Sequence, residues 1–226
     1  MIPPLIVTEA LNHQINLIAI TDHNSTANIT SVQKAALGTG LVVLPGMELQ
    51  TREEVHSLCI FDTLEQAAEL QLYVDQNLPD IQNRPDFFGE QFVVDETGDF
   101  LRREERLLLC SSTISLEQAW RKVKDLGGLF IPAHVNRKGF GLIANLGFVP
   151  PGISFDALEI SRHLEVSEVP IKFPQIAGYP LIQSGDVHGL DEFLGANELI
   201  INQPTIHEIS LALQHLEGRS LKIRMN

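Results

Sequence analysis

Leu17-Ile18-Ala19-Ile20-Thr21-Asp22-His23-Asn24 is an apolar run that ends abruptly in a carboxylate, an imidazole and an amide. The same arrangement recurs along the chain. Leu41-Val42-Val43-Leu44 leads into Pro45-Gly46-Met47-Glu48, Leu129-Phe130-Ile131-Pro132-Ala133 into His134-Val135-Asn136, and Pro180-Leu181-Ile182-Gln183-Ser184-Gly185 into Asp186-Val187-His188. Read as buried parallel strands, these runs deliver their polar ends to one face of an α/β barrel, where such folds place their chemistry. His, Glu and Asp gathered there, in a chain with two cysteines, suit hard-to-borderline divalent metals. The pattern points to a metal-dependent hydrolase.

The segments between these runs read as helices and turns. Val7 to Asn16 and Ser25 to Leu37 suit helices, the second closed by Gly38. Val55 to Phe61 reads as a strand, and Thr63-Leu64-Glu65-Gln66 as a capping box opening a helix to about Gln76. Asn77 to Phe88 looks irregular. Two short runs around Asp95-Glu96-Thr97-Gly98-Asp99 suggest a β-hairpin. Ser115-Leu116-Glu117-Gln118 caps a helix through Leu126, and a strand at Glu198 to Asn202 precedes a helix opened by Thr205. No repeat or linker divides the 226 residues, so the expectation is one domain spanning 1–226 with an excursion at about 75–113.

Composition narrows the function classes. The chain is 44% hydrophobic with mean hydropathy +0.06, and it contains no apolar stretch of transmembrane length. Met1-Ile2-Pro3-Pro4 lacks the basic start of a secretory signal, so a cytoplasmic protein without a membrane partner is expected. A net charge of −13 argues against extended nucleic acid as a partner. A small phosphorylated substrate stays open, because bound cations would invert the local field. Cys59 and Cys110, in apolar surroundings without CxxC spacing, read as reduced thiols.

Each candidate site residue also has a plainer explanation. His23 could lie in a turn that caps the next helix, Glu48 could be a solvent-facing turn carboxylate, and His56 could be a satisfied strand histidine. His134 closes a very apolar run, where a polar ring is costly unless partnered. Asp186 and His188 are spaced to project to one side of an extended segment. His13, His163, His207 and His215 fall on expected helices or a loop and are set aside. Together, the strand-end residues point to metal binding more strongly than any one of them alone.

Ile18-Ala19-Ile20-Thr21-Asp22-His23-Asn24, Leu44-Pro45-Gly46-Met47-Glu48, Glu54-Val55-His56, Pro132-Ala133-His134 and Ser184-Gly185-Asp186-Val187-His188 occur in the order of the motifs of the polymerase and histidinol phosphatase (PHP) family. The chain resembles its stand-alone phosphoesterases in particular. That resemblance implies a distorted (β/α)7 barrel holding up to three divalent metals, usually Zn, Mn, Fe or Mg. It implies that Glu48 bridges two metals, that His56 and His134 complete one and Asp186 the other, and that His23 and His188 hold the third. Asp22 would orient a ligand. Apart from the resemblance, Arg137 and Lys138 follow His134 at the reactive face, where they either neutralise non-bridging phosphate oxygens, Arg137 the better suited by its planar fork, or form a solvated basic loop.

The family's opening strand, ending in His-x-His, has no counterpart before His23. On this reading Met1 is an internal methionine, the first barrel strand is missing, and the chain carries fewer metals than its relatives. The exposed strand edges would favour association with a second copy. The leading expectation is hydrolysis of a small-molecule phosphate mono- or diester by metal-activated water. The alternatives are a catalytically impaired metal-binding scaffold and a nuclease resembling the polymerase PHP domain.

Overall fold

Proline is tolerated in a helix only in its first turn, and Pro3 and Pro4 occupy that turn of α1 (Pro3–Asn12). The helix therefore starts earlier than the expected Val7 and ends before Gln14, whose φ is +57°. The computed structural model describes residues 1–224. Strand β1 (Leu17–Ile20) follows, then α2 (Ile29–Ala35), β2 (Val42–Gln50) and β3 (His56–Ile60). Helix α2 begins later than Ser25, because Thr26 is tied through its N–H to the Gln71 side chain at 2.7 Å. Next come α3 (Leu64–Asp75), the short α4 (Pro85–Phe88), the strands β4 (Phe92–Val94) and β5 (Phe100–Arg103), α5 (Leu116–Asp125) and β6 (Leu129–Pro132). The last part holds α6 (Leu142–Leu146), β7 (Leu158–Ser161), α7 (Val169–Lys172), β8 (Leu181–Ser184), β9 (Asn197–Ile200), α8 (Ile206–Leu213) and β10 (Ser220–Ile223).

Both expected capping boxes form. Thr63 and Ser115 each accept from the backbone N–H three residues on, and Gln66 and Gln118 reach back to the cap. The expected hairpin is β4–β5, an antiparallel pair whose turn is closed by Asp95 Oδ1 accepting from the N–H groups of Thr97 and Asp99. Within the segment expected to be irregular, Pro85 starts the short helix α4.

The strands are not all parallel. One sheet has the order β1-β2-β3-β6; β1 runs parallel to β2, but β3 is antiparallel to both β2 and β6. The reason is local: residues 51–55 are too few for a crossover, and a short connection joins only antiparallel neighbours. Thus β2 and β6 share a polarity without being adjacent. β7 pairs in parallel with β8, and β9 is antiparallel to β10. Among the described residues these sheets do not close into a barrel. The fold is mixed α/β, and β7 and β10 are additions to the sequence expectation.

Side-chain alternation across the sheet supplies two apolar layers. Met47, Leu49, Cys59, Phe61 and Phe130 enter the larger core beside α3 and α5. Leu44, Leu129 and Ile131 enter a smaller one against Ile206, Ile209 and Leu213 of α8. Each large side chain buried this way contributes roughly 1.5–3 kcal/mol. Those layers fix the sheet on which the polar strand ends stand. Among the described residues no helix is long and apolar enough to cross a membrane.

Candidate metal centre

The loop after β1 is locked onto β2. The Glu48 N–H donates to the Asp22 carbonyl at 3.1 Å, and the Asn24 N–H donates to the Glu48 carbonyl at 2.9 Å. Asn24 is fully buried and takes a φ of +50°, a region that Asn tolerates better than most residues. Its side chain accepts from Gln50 N–H at 3.0 Å and donates to the Leu108 and Cys110 carbonyls. Gly46 permits this close approach, since a Cβ there would meet the Thr21 methyl at 2.8 Å. The outcome is that His23 lies directly beside Glu48.

Antiparallel β3 contributes through its first residue. His56 pairs in register with Gln50, which puts the start of β3 at the same end of the sheet as the finish of β2 and β6. Its ring stacks on Phe140 at 4.5 Å between centroids. His134 leaves the end of β6 with a φ of +31° and is buried.

Three imidazoles surround the buried Glu48 carboxylate. His56 Nδ1 lies 2.9 Å from Oε1, His134 Nε2 3.4 Å from Oε1, and His23 Nδ1 3.4 Å from Oε2. Burial alone would push the Glu48 carboxyl up. The contacts from His134 and His56, with the field of His23, outweigh it and hold the group well below the usual carboxylate range. Burial lowers His23, and the neighbouring His56 and His188 act in the same direction. A neutral His23 ring beside an ionised Glu48 carboxylate is the combination of protonation states that metal ligands need.

His23 Nδ1, His56 Nε2 and His134 Nδ1 are buried without a hydrogen-bond partner. Unsatisfied buried nitrogens are costly, and a divalent cation would satisfy such donor atoms. The residues present therefore fit a metal. Two groups have ligand atoms within 4.8 Å of one another: His23 with Glu48 and His56, and Glu48 with His134 and Asp186. Glu48 belongs to both. This partition differs from the one implied by the resemblance, because the β2–β3 hairpin puts His56 nearer His23 and the loop after β8 puts Asp186 nearer His134. His188 is in neither group; its ring lies 5.7 Å from that of His23, and its side chain is 60% exposed.

Arg137 is paired with Asp186 through Nη1 and Oδ2. The Asp22 carboxylate accepts from Asn28 Nδ2 at 3.2 Å, and burial raises its pKa. Glu159 on β7, which the sequence reading did not single out, is buried beneath the group. Burial, reinforced by the charges of Glu48 and Asp186, pushes its carboxyl up to about 8. The available signal was a lone carboxylate inside the apolar run Ala157-Leu158-Glu159-Ile160.

His23, Glu48, Glu159, Asp186 and His188 line a cavity of about 310 Å³. Beside it lies a cleft of about 1050 Å³, bounded by Leu17–Asp22 on one side and by Gln183–Gly185 and Asn197–Pro204 on the other. The outer edge of β1 faces this cleft with no strand partner among the described residues.

No family model matches the sequence. The uncharacterized protein YqxK of Bacillus subtilis (strain 168) is 31% identical over 108 residues, which are 45% of this chain and 27% of YqxK. The structure of the lesion-specific endonuclease PfuEndoQ from Pyrococcus furiosus superposes with a TM-score of 0.71 at 19% identity, over 98% of this chain and 53% of that one. A protein from Bifidobacterium adolescentis assigned as a metal-dependent phosphoesterase superposes with a TM-score of 0.53 at 18% identity, over 83% of this chain and 82% of its own. The chain thus spans about half the length of the endonuclease and about a quarter of YqxK. Its fold is one that hydrolytic enzymes of this kind share.

Proposed function

We propose that this chain is a divalent-metal-dependent phosphoesterase. The observation that carries the reading is Glu48, an ionised buried carboxylate shared by two groups of ligand atoms and ringed by three imidazoles. Such metals, when bound, polarise phosphoryl oxygens and lower the pKa of coordinated water toward neutrality. The chain's own residues supply the rest. Glu48, His23 and His56 would hold one ion, and Glu48, His134 and Asp186 a second. Asp22, locked between Glu48 and Asn28, fixes the His23 loop. Arg137, anchored on Asp186 at the exposed side of the site, would neutralise a non-bridging phosphate oxygen with its planar fork.

Two substrate classes enter the test. A small phosphate mono- or diester is the reading that the size of the cavity, about 310 Å³, supports. Nucleic acid, set aside from the net charge, returns as a second reading, because an endonuclease fold covers nearly the whole chain and metals would reverse the local field. Beside the site, the cleft along the unpaired edge of β1 is the proposed seat for the opening strand that the family resemblance calls for.

The experiment compares protein stripped with a chelator and then reloaded with Mn²⁺ or Zn²⁺, using an aryl phosphomonoester, an aryl phosphodiester and duplex DNA with and without an abasic site. Hydrolysis that returns with metal supports the reading, and the preferred substrate selects the class. Tight metal binding without turnover on any of them would leave only the scaffold alternative.

A further inference from the structure

Among the loops of the site, several residues hold backbone conformations that side chains rarely adopt. His134 has a φ of +31° and Asp186 a φ of +50°. Such conformations are strained and persist only where surrounding contacts enforce them. Both residues carry ligand atoms of the same group, and both are held from the same strand.

Strand β7 supplies the hold. The Glu159 side chain accepts from the His134 N–H through Oε1 at 3.1 Å, and the Glu159 carbonyl accepts from the Val135 N–H at 2.8 Å. One residue thus grips the backbone on both sides of the His134 peptide. Ser184, on the neighbouring strand β8 and lining the same cavity as Glu159, acts on that carboxyl to lower its pKa, and its Oγ accepts from the Asp186 N–H at 3.1 Å. Arg162, just beyond β7, also steadies that loop by donating to the Gly185 carbonyl at 2.9 Å. Glu159 is 2% exposed and belongs to neither group of ligand atoms.

We infer that Glu159 is the positioning residue of the centre: by joining the His134 N–H to Ser184, and through Ser184 the Asp186 N–H, it sets two ligand-bearing loops at one mutual geometry. The role is mechanical. It requires an acceptor for His134 and a hydrogen-bonding partner for Ser184, and a neutral amide provides both, donating to Ser184 while its oxygen accepts from His134. The inference rests on the metal-centre reading, and its test separates the two.

The test is a Mn²⁺ titration of purified, metal-stripped wild type, Glu159→Gln, Glu159→Ala and Ser184→Ala, by competition with a fluorescent chelator. Circular dichroism and the metal-free thermal midpoint are measured in parallel. Glu159→Ala is expected to weaken Mn²⁺ binding by the ~10–100-fold that residues orienting ligands carry. Ser184→Ala should weaken it less, by cutting only the link to Asp186, and Glu159→Gln should bind like wild type. Wild-type affinity in a folded Glu159→Ala, or a loss in Glu159→Gln as large as in the alanine variant, would overturn the inference. The second result would make the carboxylate itself a ligand. If Glu159→Ala does not fold, the other two decide: Glu159→Gln must match wild type and Ser184→Ala must bind more weakly, and any other result refutes the role. A wild-type chain that binds no Mn²⁺ would instead remove the metal-centre reading.

Discussion

Glu48, His56 and His134 stand on or at the end of strands of one hydrogen-bonded sheet, and all three are buried. Asp186 and His188 stand on the loop after β8, a strand that among the described residues pairs only with β7, and the His188 side chain is 60% exposed. The sheet-borne half has its geometry set by ladders and two apolar layers. The loop-borne half has it set by a few side-chain hydrogen bonds. Ligands on rigid elements are held more accurately than ligands on loops, so the first half should dominate affinity and the second should tune access and turnover.

The largest expected difference is in metal binding. His134→Ala should weaken binding at least as much as the ~10–100-fold attributed to mere orienting residues, whereas His188→Ala should change it far less. Parallel titrations check this, and equal losses would erase the distinction between the halves. Next is Arg137→Ala on the loop side. A hydrogen bond to a charged group is worth ~1.5–3 kcal/mol, so kcat/KM for an aryl phosphate should fall about tenfold or more while metal affinity changes little. Steady-state kinetics at saturating metal test it, and unchanged kinetics would return Arg137 to a simple partner of Asp186.

A pH effect tests the tie between the halves. Glu159 is pushed from an ordinary 4.5 up to about 8 by burial. In that window the folded chain keeps a proton that the unfolded chain releases, so metal-free stability falls as pH rises from about 4.5 to about 8. Glu159→Gln cannot titrate, and its advantage over wild type should grow across the window. Urea midpoints at several pH values measure this, and a constant difference would count against the buried carboxyl. The smallest effect concerns the scaffold alone. Thr63→Ala and Ser115→Ala should each cost ~1 kcal/mol with metal affinity unchanged.

Legibility in the sequence followed the same division. The β1, β2, β6 and β8 runs and both capping boxes were readable because apolar runs and cap chemistry are local signals. His23, Glu48, His134 and Asp186 come together because each ends such a run. The reversal of β3 was not readable from its own residues, since it depends on the short 51–55 connection; it brings His56 to the site from the start of a strand rather than from its end. β7 was missed because Glu159 interrupts its apolar pattern, and that interruption places a carboxyl under His134. The sharing of Glu48 between His23 with His56, and His134 with Asp186, is a matter of distances that no spacing in the chain encodes.

The most direct measurement of the central claim is the number of metal ions bound per chain, by native mass spectrometry, in wild type and in Glu48→Gln, His56→Ala and His134→Ala. If Glu48 is shared, His56→Ala and His134→Ala should each lose one ion and keep the other, while Glu48→Gln loses both with the fold retained. A Glu48→Gln protein that still carries the wild-type complement, or single losses from all three variants alike, would contradict the shared-carboxylate centre.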